Sequence, residues 1–288
     1  MIKVENLTYT YPGAASPALA GIGFSIEKGE VYGLLGPSGA GKSTTQRILM
    51  GLLSGFGGTV ELFGEPAGRL GRDYYERIGV SFELPAVYLR LTALENLRLF
   101  AALYRQPSRD LMSVLADVDL TDAANQRVEQ FSKGMKMRLN LARSFLHDPD
   151  LLFLDEPTTG QDPARARLTR DLIRRLKSEG KTIFLTTHNM AEAEEICDRV
   201  GFLAHGRIPV TGTPEELKRR FGRRELEAAI TMPSGIEKRL FPMDGIGSNV
   251  EFLELLTSGQ VASMHTLEAS LDDVFIRATG APRAMEEA

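Results

Sequence analysis

Eight consecutive residues, Gly36, Pro37, Ser38, Gly39, Ala40, Gly41, Lys42 and Ser43, fit the pattern G-x-x-x-x-G-K-[ST]. Successive backbone N–H groups in such a loop, with the helix N-terminus that follows, favour anionic phosphate oxygens. Lys42 would reach the β and γ phosphates of a nucleotide, and the Ser43 hydroxyl would ligate Mg²⁺. A glycine-rich turn can also exist without a ligand, so its flanks matter. VYGLL at 31–35 reads as a strand buried on both faces, and TTQRILMGLL after it as a helix, which is the setting the pattern requires. Background composition alone would give this match in roughly one chain in a hundred of this length.

A second chemical feature is LLFLDEP, an apolar strand that delivers Asp155 and Glu156 to its C-terminal end. Ligands of open α/β sheets bind at those ends. Asp155 would hold Mg²⁺ through water, and Glu156 could act as general base on an attacking water. An Asp-Glu pair after a strand is commonly a solvated loop start, and the phosphate loop upstream is what favours the chemical reading.

These residues need a scaffold to position them. The first 30 residues are β-rich, and two further buried strands are read at LLFL (151–154) and TIFLTT (182–187). PARARLTRDLIRRLKSEG between them is a helix with apolar positions at Leu168, Leu172, Ile173 and Leu176, closed by Gly180. Strand, helix and strand at this spacing form a βαβ unit, so the core is α/β with a mainly parallel sheet. Residues from about 86 to 147 carry helical periodicity, which predicts an inserted helical subdomain. RVGFLAHGRIPV reads as a hairpin around His205 and Gly206, and Thr213, Pro214 and Glu216 supply N-cap, N1 and N3 residues for a short helix. A composition shift in FGRRELEAAITMPSG places a domain boundary near 222, dividing 1–221 from a small α+β segment at 222–288. The last residues, APRAMEEA, are expected to fray.

The totals exclude several classes. A formal charge of −4 and a pI near 5.7 give no electrostatic footprint for nucleic acid. One cysteine, Cys197, rules out an internal disulfide and fits a reducing cytosol. With only four scattered histidines besides, a structural zinc site is not expected. The N-terminus MIKVENLTYTY lacks the apolar core of a signal peptide, and no window of about 18 uncharged apolar residues exists. Any membrane role would have to come through a partner.

GPSGAGKST, FSKGMKMRLNLARSFLHDPDLLFLDEPTTGQDP and FLTTHNMAEAEEICDRV together resemble the ATP-binding subunit of ABC transporters, over roughly residues 1–218. The resemblance implies a P-loop NTPase core with an antiparallel β subdomain, and ATP and Mg²⁺ as cofactors. It implies a phosphate loop at 36–43 continued by Thr44, a catalytic Glu156, a loop around Gly160–Asp162 and a switch histidine at His188. Tyr11 stands at the family's adenine-stacking aromatic, with Tyr9 as the lesser candidate; either could instead be a plain strand residue. Ser132 and Gly134 stand in the family signature that opens a helix and, in the family, binds the γ-phosphate held by a second subunit. One phosphate loop and one signature per chain imply a dimer, most simply of two copies. Phe131, Lys133 and Met135 depart from the signature consensus, and Gln161 replaces the usual leucine; none of these changes removes a catalytic group.

The SKGM variant and a tail ending SLDDVFIRATG resemble the ATPases of ABC-2 type exporters, and DYYERIGVSFELP resembles subunits assigned to multidrug or fluoroquinolone export. The resemblance implies a separate membrane permease docking beside 83–100, where Leu84, Val87, Tyr88 and Leu91 could line a groove. It also implies a place on the cytoplasmic face of the cell membrane. Glu83 occupies the position where the family usually carries a glutamine close to Mg²⁺ and the attacking water. A carboxylate there should grip Mg²⁺ more strongly than an amide and make loop closure more metal-dependent. Two other classes compete: a non-transport ABC ATPase acting on ribosomes or DNA, and a small-molecule P-loop kinase, which should lack the SKGM helix.

Overall fold

The computed structural model describes residues 1–105, 109–221, 225–232, 235–267 and 269–280. In chain order the strands and helices are β1 (Ile2–Tyr9), β2 (Leu19–Ile26), β3 (Val31–Leu35), α1 (Lys42–Leu49), β4 (Gly57–Leu62), β5 (Glu65–Pro66), α2 (Arg72–Glu76) and β6 (Ile78–Ser81). Three helices follow: α3 (Ala93–Ala101), α4 (Leu111–Asp117) and α5 (Lys133–Phe145). Next come β7 (Leu151–Asp155), α6 (Pro163–Ser178), β8 (Thr182–Thr187), α7 (Met190–Ile196), β9 (Arg199–Ala204) and β10 (Arg207–Gly212). The last elements are α8 (Pro214–Phe221), β11 (Glu225–Met232), β12 (Gly235–Pro242), α9 (Val250–Thr257), β13 (Val261–Leu267) and α10 (Leu271–Thr279).

Two compact units divide the chain, 1–213 and 214–288. The composition shift near 222 suggests a later boundary, and residue 222 itself lies outside the described residues, as does APRAMEEA. The physical division falls earlier because α8 belongs with α10: Arg277 at the end of α10 donates to the Phe221 carbonyl at 2.5 Å.

In the first unit a six-stranded sheet runs β10-β9-β3-β8-β7-β6, parallel except for the β9–β10 hairpin. The mainly apolar strands β3, β7 and β8 occupy its middle, where every residue is buried. An antiparallel sheet, β2-β1-β4-β5, adds Ile2, Val4, Ile22 and Ile26 to a core shared with Tyr32, Phe153 and Phe184. Helices α3, α4 and α5 form the expected helical segment. α3 starts with a Thr92–Glu95 capping box. α6 ends as its sequence predicts: Gly180 is left-handed, and the N–H groups of Gly180 and Lys181 return to Lys177 and Leu176. One helical assignment differs. Leu168 is exposed, because the buried stripe of α6 runs Ala166, Thr169, Leu172, Ile173 and Leu176.

In the second unit, β12-β11-β13 form an antiparallel sheet whose core is Ala228, Ile230 and Phe241 against Phe252 and Leu255 of α9. Among the described residues, no helix is long and apolar enough to cross a membrane.

Candidate nucleotide site

Register in the parallel sheet decides what meets what. Leu35 pairs with Thr187, Asp155 with Thr186, and Ser81 with Leu154. The four strands therefore end together and release Gly36, Glu156, His188 and Glu83 along one edge. A cleft of about 600 Å³ opens there, lined by Tyr11, Lys42, Ser43, Glu83, Asp155, Glu156 and His188 among others.

The phosphate loop is held backbone to backbone. A β-carbon at Gly36 would drive into the Leu203 carbonyl oxygen, and one at Gly41 would lie 2.8 Å from the Ala18 carbonyl oxygen. At φ +112°, Gly41 also takes a conformation that side chains rarely adopt. Gly41 offers no side chain to cap α1, whose first N–H groups are thus free of a side-chain acceptor. Ser38, Gly39 and Ser43 are exposed to the cleft, and Pro37 is exposed beside them, whereas Gly36, Ala40 and Thr44 are buried. Lys42 curls back over the loop, donating to the carbonyls of Gly36 at 2.6 Å and Pro37 at 3.2 Å. Its burial lowers the ammonium pKa, an effect opposed by the Glu156, Asp155 and Glu83 charges. Of the two candidate tyrosines, Tyr9 is buried and Tyr11 lines the cleft, its ring edge-on to Tyr9 at 4.9 Å and its hydroxyl 3.1 Å from Thr44 Oγ1.

Glu156 sits at φ +49°, a strained turn that points its carboxylate at the end of β8. Its Oε1 accepts the His188 backbone N–H at 3.0 Å and lies 2.7 Å from His188 Nδ1; Oε2 accepts from Thr187 Oγ1 at 3.0 Å. Asp155 is buried beside it, accepting from Thr186 Oγ1 at 2.5 Å. Burial pushes the Asp155 carboxyl up, and the Glu156 and Glu83 charges add to that push. A carboxyl whose folded pKa is raised costs stability above that pKa and relieves the cost as pH falls through it. Asp155→Asn keeps the Thr186 bond without the charge. We expect it to raise the melting temperature of the nucleotide-free protein at neutral pH by roughly 2–4 °C for each kcal/mol gained. Thermal scans from neutral to acidic pH should show the difference from the parent shrinking.

Ser132 and Gly134 do not reach this cleft. Ser132 caps α5 through the Met135 N–H, and Gly134 packs beside the Gly160 carbonyl. Gln161 is tied locally, donating to the Pro157 carbonyl and accepting from Thr169. Further along α5, Asn140 donates to Ser81 Oγ and the Phe82 carbonyl, and Arg143 donates to the Ala86 carbonyl. The loop carrying Glu83 is thereby clipped at both ends to the helix that Ser132 opens. Asn140, Arg143, Thr186 and Thr187 escaped the sequence reading. The paired threonines ending the otherwise apolar TIFLTT were the available signal.

The ABC transporter family model matches residues 19–159, and the model for the fluoroquinolone efflux ABC transporter C-terminal domain matches 231–268. A fluoroquinolones export ATP-binding protein of Mycobacterium tuberculosis is 51% identical over 97% of this chain and 93% of its own length. The chain belongs to the ABC transporter ATP-binding proteins. A Nod factor export ATP-binding protein I from a Rhizobium species is 38% identical over 93% of each chain. Among solved structures, an ATP-binding subunit of an ABC transporter superposes with a TM-score of 0.69 at 31% identity, covering 77% of this chain and 93% of that one. A dimeric post-hydrolysis ATP-binding cassette bound to ADP and Pi gives 0.68 at 28% identity, over 74% and 98%. The chain is thus an ABC ATPase, with the α/β P-loop fold its sequence implies.

Proposed function

We propose that this ABC ATPase is the motor of an ABC-2 type exporter, with ATP hydrolysis driving efflux of a drug-, antibiotic- or lipid-like substrate through a separate membrane permease. The convergence of four strand ends on one cleft supports the motor, and the match of residues 231–268 to a fluoroquinolone efflux ABC transporter C-terminal domain supports export. Tyr11 stacks on adenine. Gly36 to Thr44, with Lys42, hold the phosphates; Glu156 takes the proton of the attacking water, and His188 braces it. Ser132 and Gly134, turned away from their own cleft, serve the nucleotide of a second copy.

Ser43, Asp155 and Glu83 are the residues for Mg²⁺. Among the described residues, no group of three or more His, Cys, Asp or Glu side chains could hold an ion unaided. Mg²⁺ does not need one, since it binds through one or two carboxylates together with substrate phosphates and water. The donor set fits: three carboxylates and one ammonium face the cleft, which would repel a bare nucleotide anion. When bound, the ion would offset phosphate charge.

A membrane partner has a surface to use. Leu84 and Tyr88 are exposed, with Val87 and Leu91 half-buried beside them. Docking there would hold the protein at the cytoplasmic face of the membrane. The test is affinity purification from detergent-solubilised membranes, followed by ATP-driven uptake of a fluoroquinolone into inverted vesicles. A polytopic membrane protein should co-purify, and uptake should stop in Lys42→Ala. Nuclease-sensitive sedimentation with ribosomes, and no membrane partner, would overturn export.

A further inference from the structure

The hydroxyl of Thr187 has one hydrogen and three polar neighbours. Its oxygen accepts the Asn189 N–H at 3.0 Å. Two carboxyl oxygens flank it as well, Glu156 Oε2 at 3.0 Å and Glu192 Oε2 at 3.3 Å. One hydrogen cannot serve both. If both acids were ionised, one contact would be a bare oxygen–oxygen repulsion between groups screened from water, since Glu192 is 2% exposed and Glu156 6%. The proton count closes when one carboxyl is itself a donor.

The surroundings say which. Glu156 receives the His188 N–H and ring nitrogen, with the Thr159 hydroxyl at 3.4 Å. Such donors favour a carboxylate. Around Glu192 the picture is different. Its Oε1 is buried and makes no hydrogen bond, although the Thr158 hydroxyl faces the carboxyl. The cation that faces it, Arg170 of α6, is also ion-paired with Glu195 at 2.6 Å and weighs least among the influences on the carboxyl. Cys197, also buried, carries no charge to offset. Burial pushes the Glu192 carboxyl up and the Glu156 charge adds to the push, against the Thr158 and Thr187 hydroxyls and the Arg170 charge, which pull it down.

We propose that Glu192 is a positioning residue that keeps its proton at neutral pH, donates it to Thr187 Oγ1, and so commits the Thr187 hydroxyl to Glu156. The hydroxyl then uses both lone pairs and its one hydrogen, a complete set. Glu156 is held and aimed into the cleft by a group that lies outside the cleft lining. The proposal rests on Glu156 being the general base.

Two variants and one spectrum test it. In Glu192→Gln the amide N–H replaces the carboxyl O–H, so kcat should stay within about twofold of the parent. Glu192→Ala leaves Thr187 free to turn away from a charged acceptor, a loss that should lower kcat about 10-fold or more with KM for ATP little changed. The infrared difference spectrum of nucleotide-free parent minus Glu192→Gln, at neutral pH, should show the carbonyl stretch of a protonated carboxyl. A difference showing only carboxylate bands would overturn the proposal, as would a Gln variant as slow as a lost base. The spectrum needs no turnover. Should Glu156 prove not to be the base, the proton on Glu192 would still be read separately.

Discussion

Glu156→Gln should bind ATP as tightly as the parent and hydrolyse it about 10²–10⁴-fold more slowly, the range for removing a positioned general base. The substitution suits the site. The glutamine oxygen can still accept from the His188 N–H, and its amide N–H can donate to the Thr159 oxygen. The loop strain at Glu156 is retained because the backbone is unchanged. Lys42, Ser43 and the α1 N-terminus, which would meet the phosphates, do not hydrogen-bond to Glu156. Steady-state turnover and calorimetric nucleotide binding, run side by side, separate the two roles. A parallel loss of affinity would move Glu156 from proton transfer to phosphate or metal binding.

Gly79→Ala should be among the most destabilising single substitutions in the first unit. The β-carbon would overlap the Ser144 carbonyl oxygen of α5, and backbone cannot swing aside as a side chain can. We expect a loss of ~3 kcal/mol, read as a fall in melting temperature of roughly 6–12 °C. Gly71→Ala, whose β-carbon meets nothing within 4 Å, is the control and should melt with the parent. The damage would extend beyond stability. Pushing α5 off β6 loosens the Asn140 bonds to Ser81 and Phe82, so Glu83 and the Ser132 end lose their common reference. Residual folded Gly79→Ala should therefore bind nucleotide and turn over slowly.

Much of this was readable from residues alone because the governing signals are local. Continuous apolar runs announced β3, β7 and β8, and the phosphate loop announced itself by spacing. The failures were those of through-space geometry. Nothing in the linear chain says that Thr187 lies between Glu156 and Glu192, since that follows from β7 and β8 being neighbours in register. Asn140 and Arg143 looked like ordinary polar residues of α5; only the packing of that helix on β6 gives them partners. Leu168 was misplaced because a single apolar residue outweighed Thr169, which shares the buried stripe with Ala166 and Leu172. Composition changes where β11 starts, whereas the contact of α8 with α10 begins earlier in the chain.

The backbone contacts around the phosphate loop also bear on how the protein is made. Gly36 lies against Leu203, Gly41 against Ala18, and Gly206 donates no side chain where Ala20 N–H bonds its carbonyl at 2.8 Å. The loop is the earliest motif to be synthesised and depends on a hairpin near the far end of its unit. At ~5–20 residues per second, the ribosome needs about ten to thirty seconds to travel between them. During that interval the nascent chain carries the motif without its Leu203 and Gly206 contacts, so the loop is fully walled only once the β9–β10 hairpin is in place.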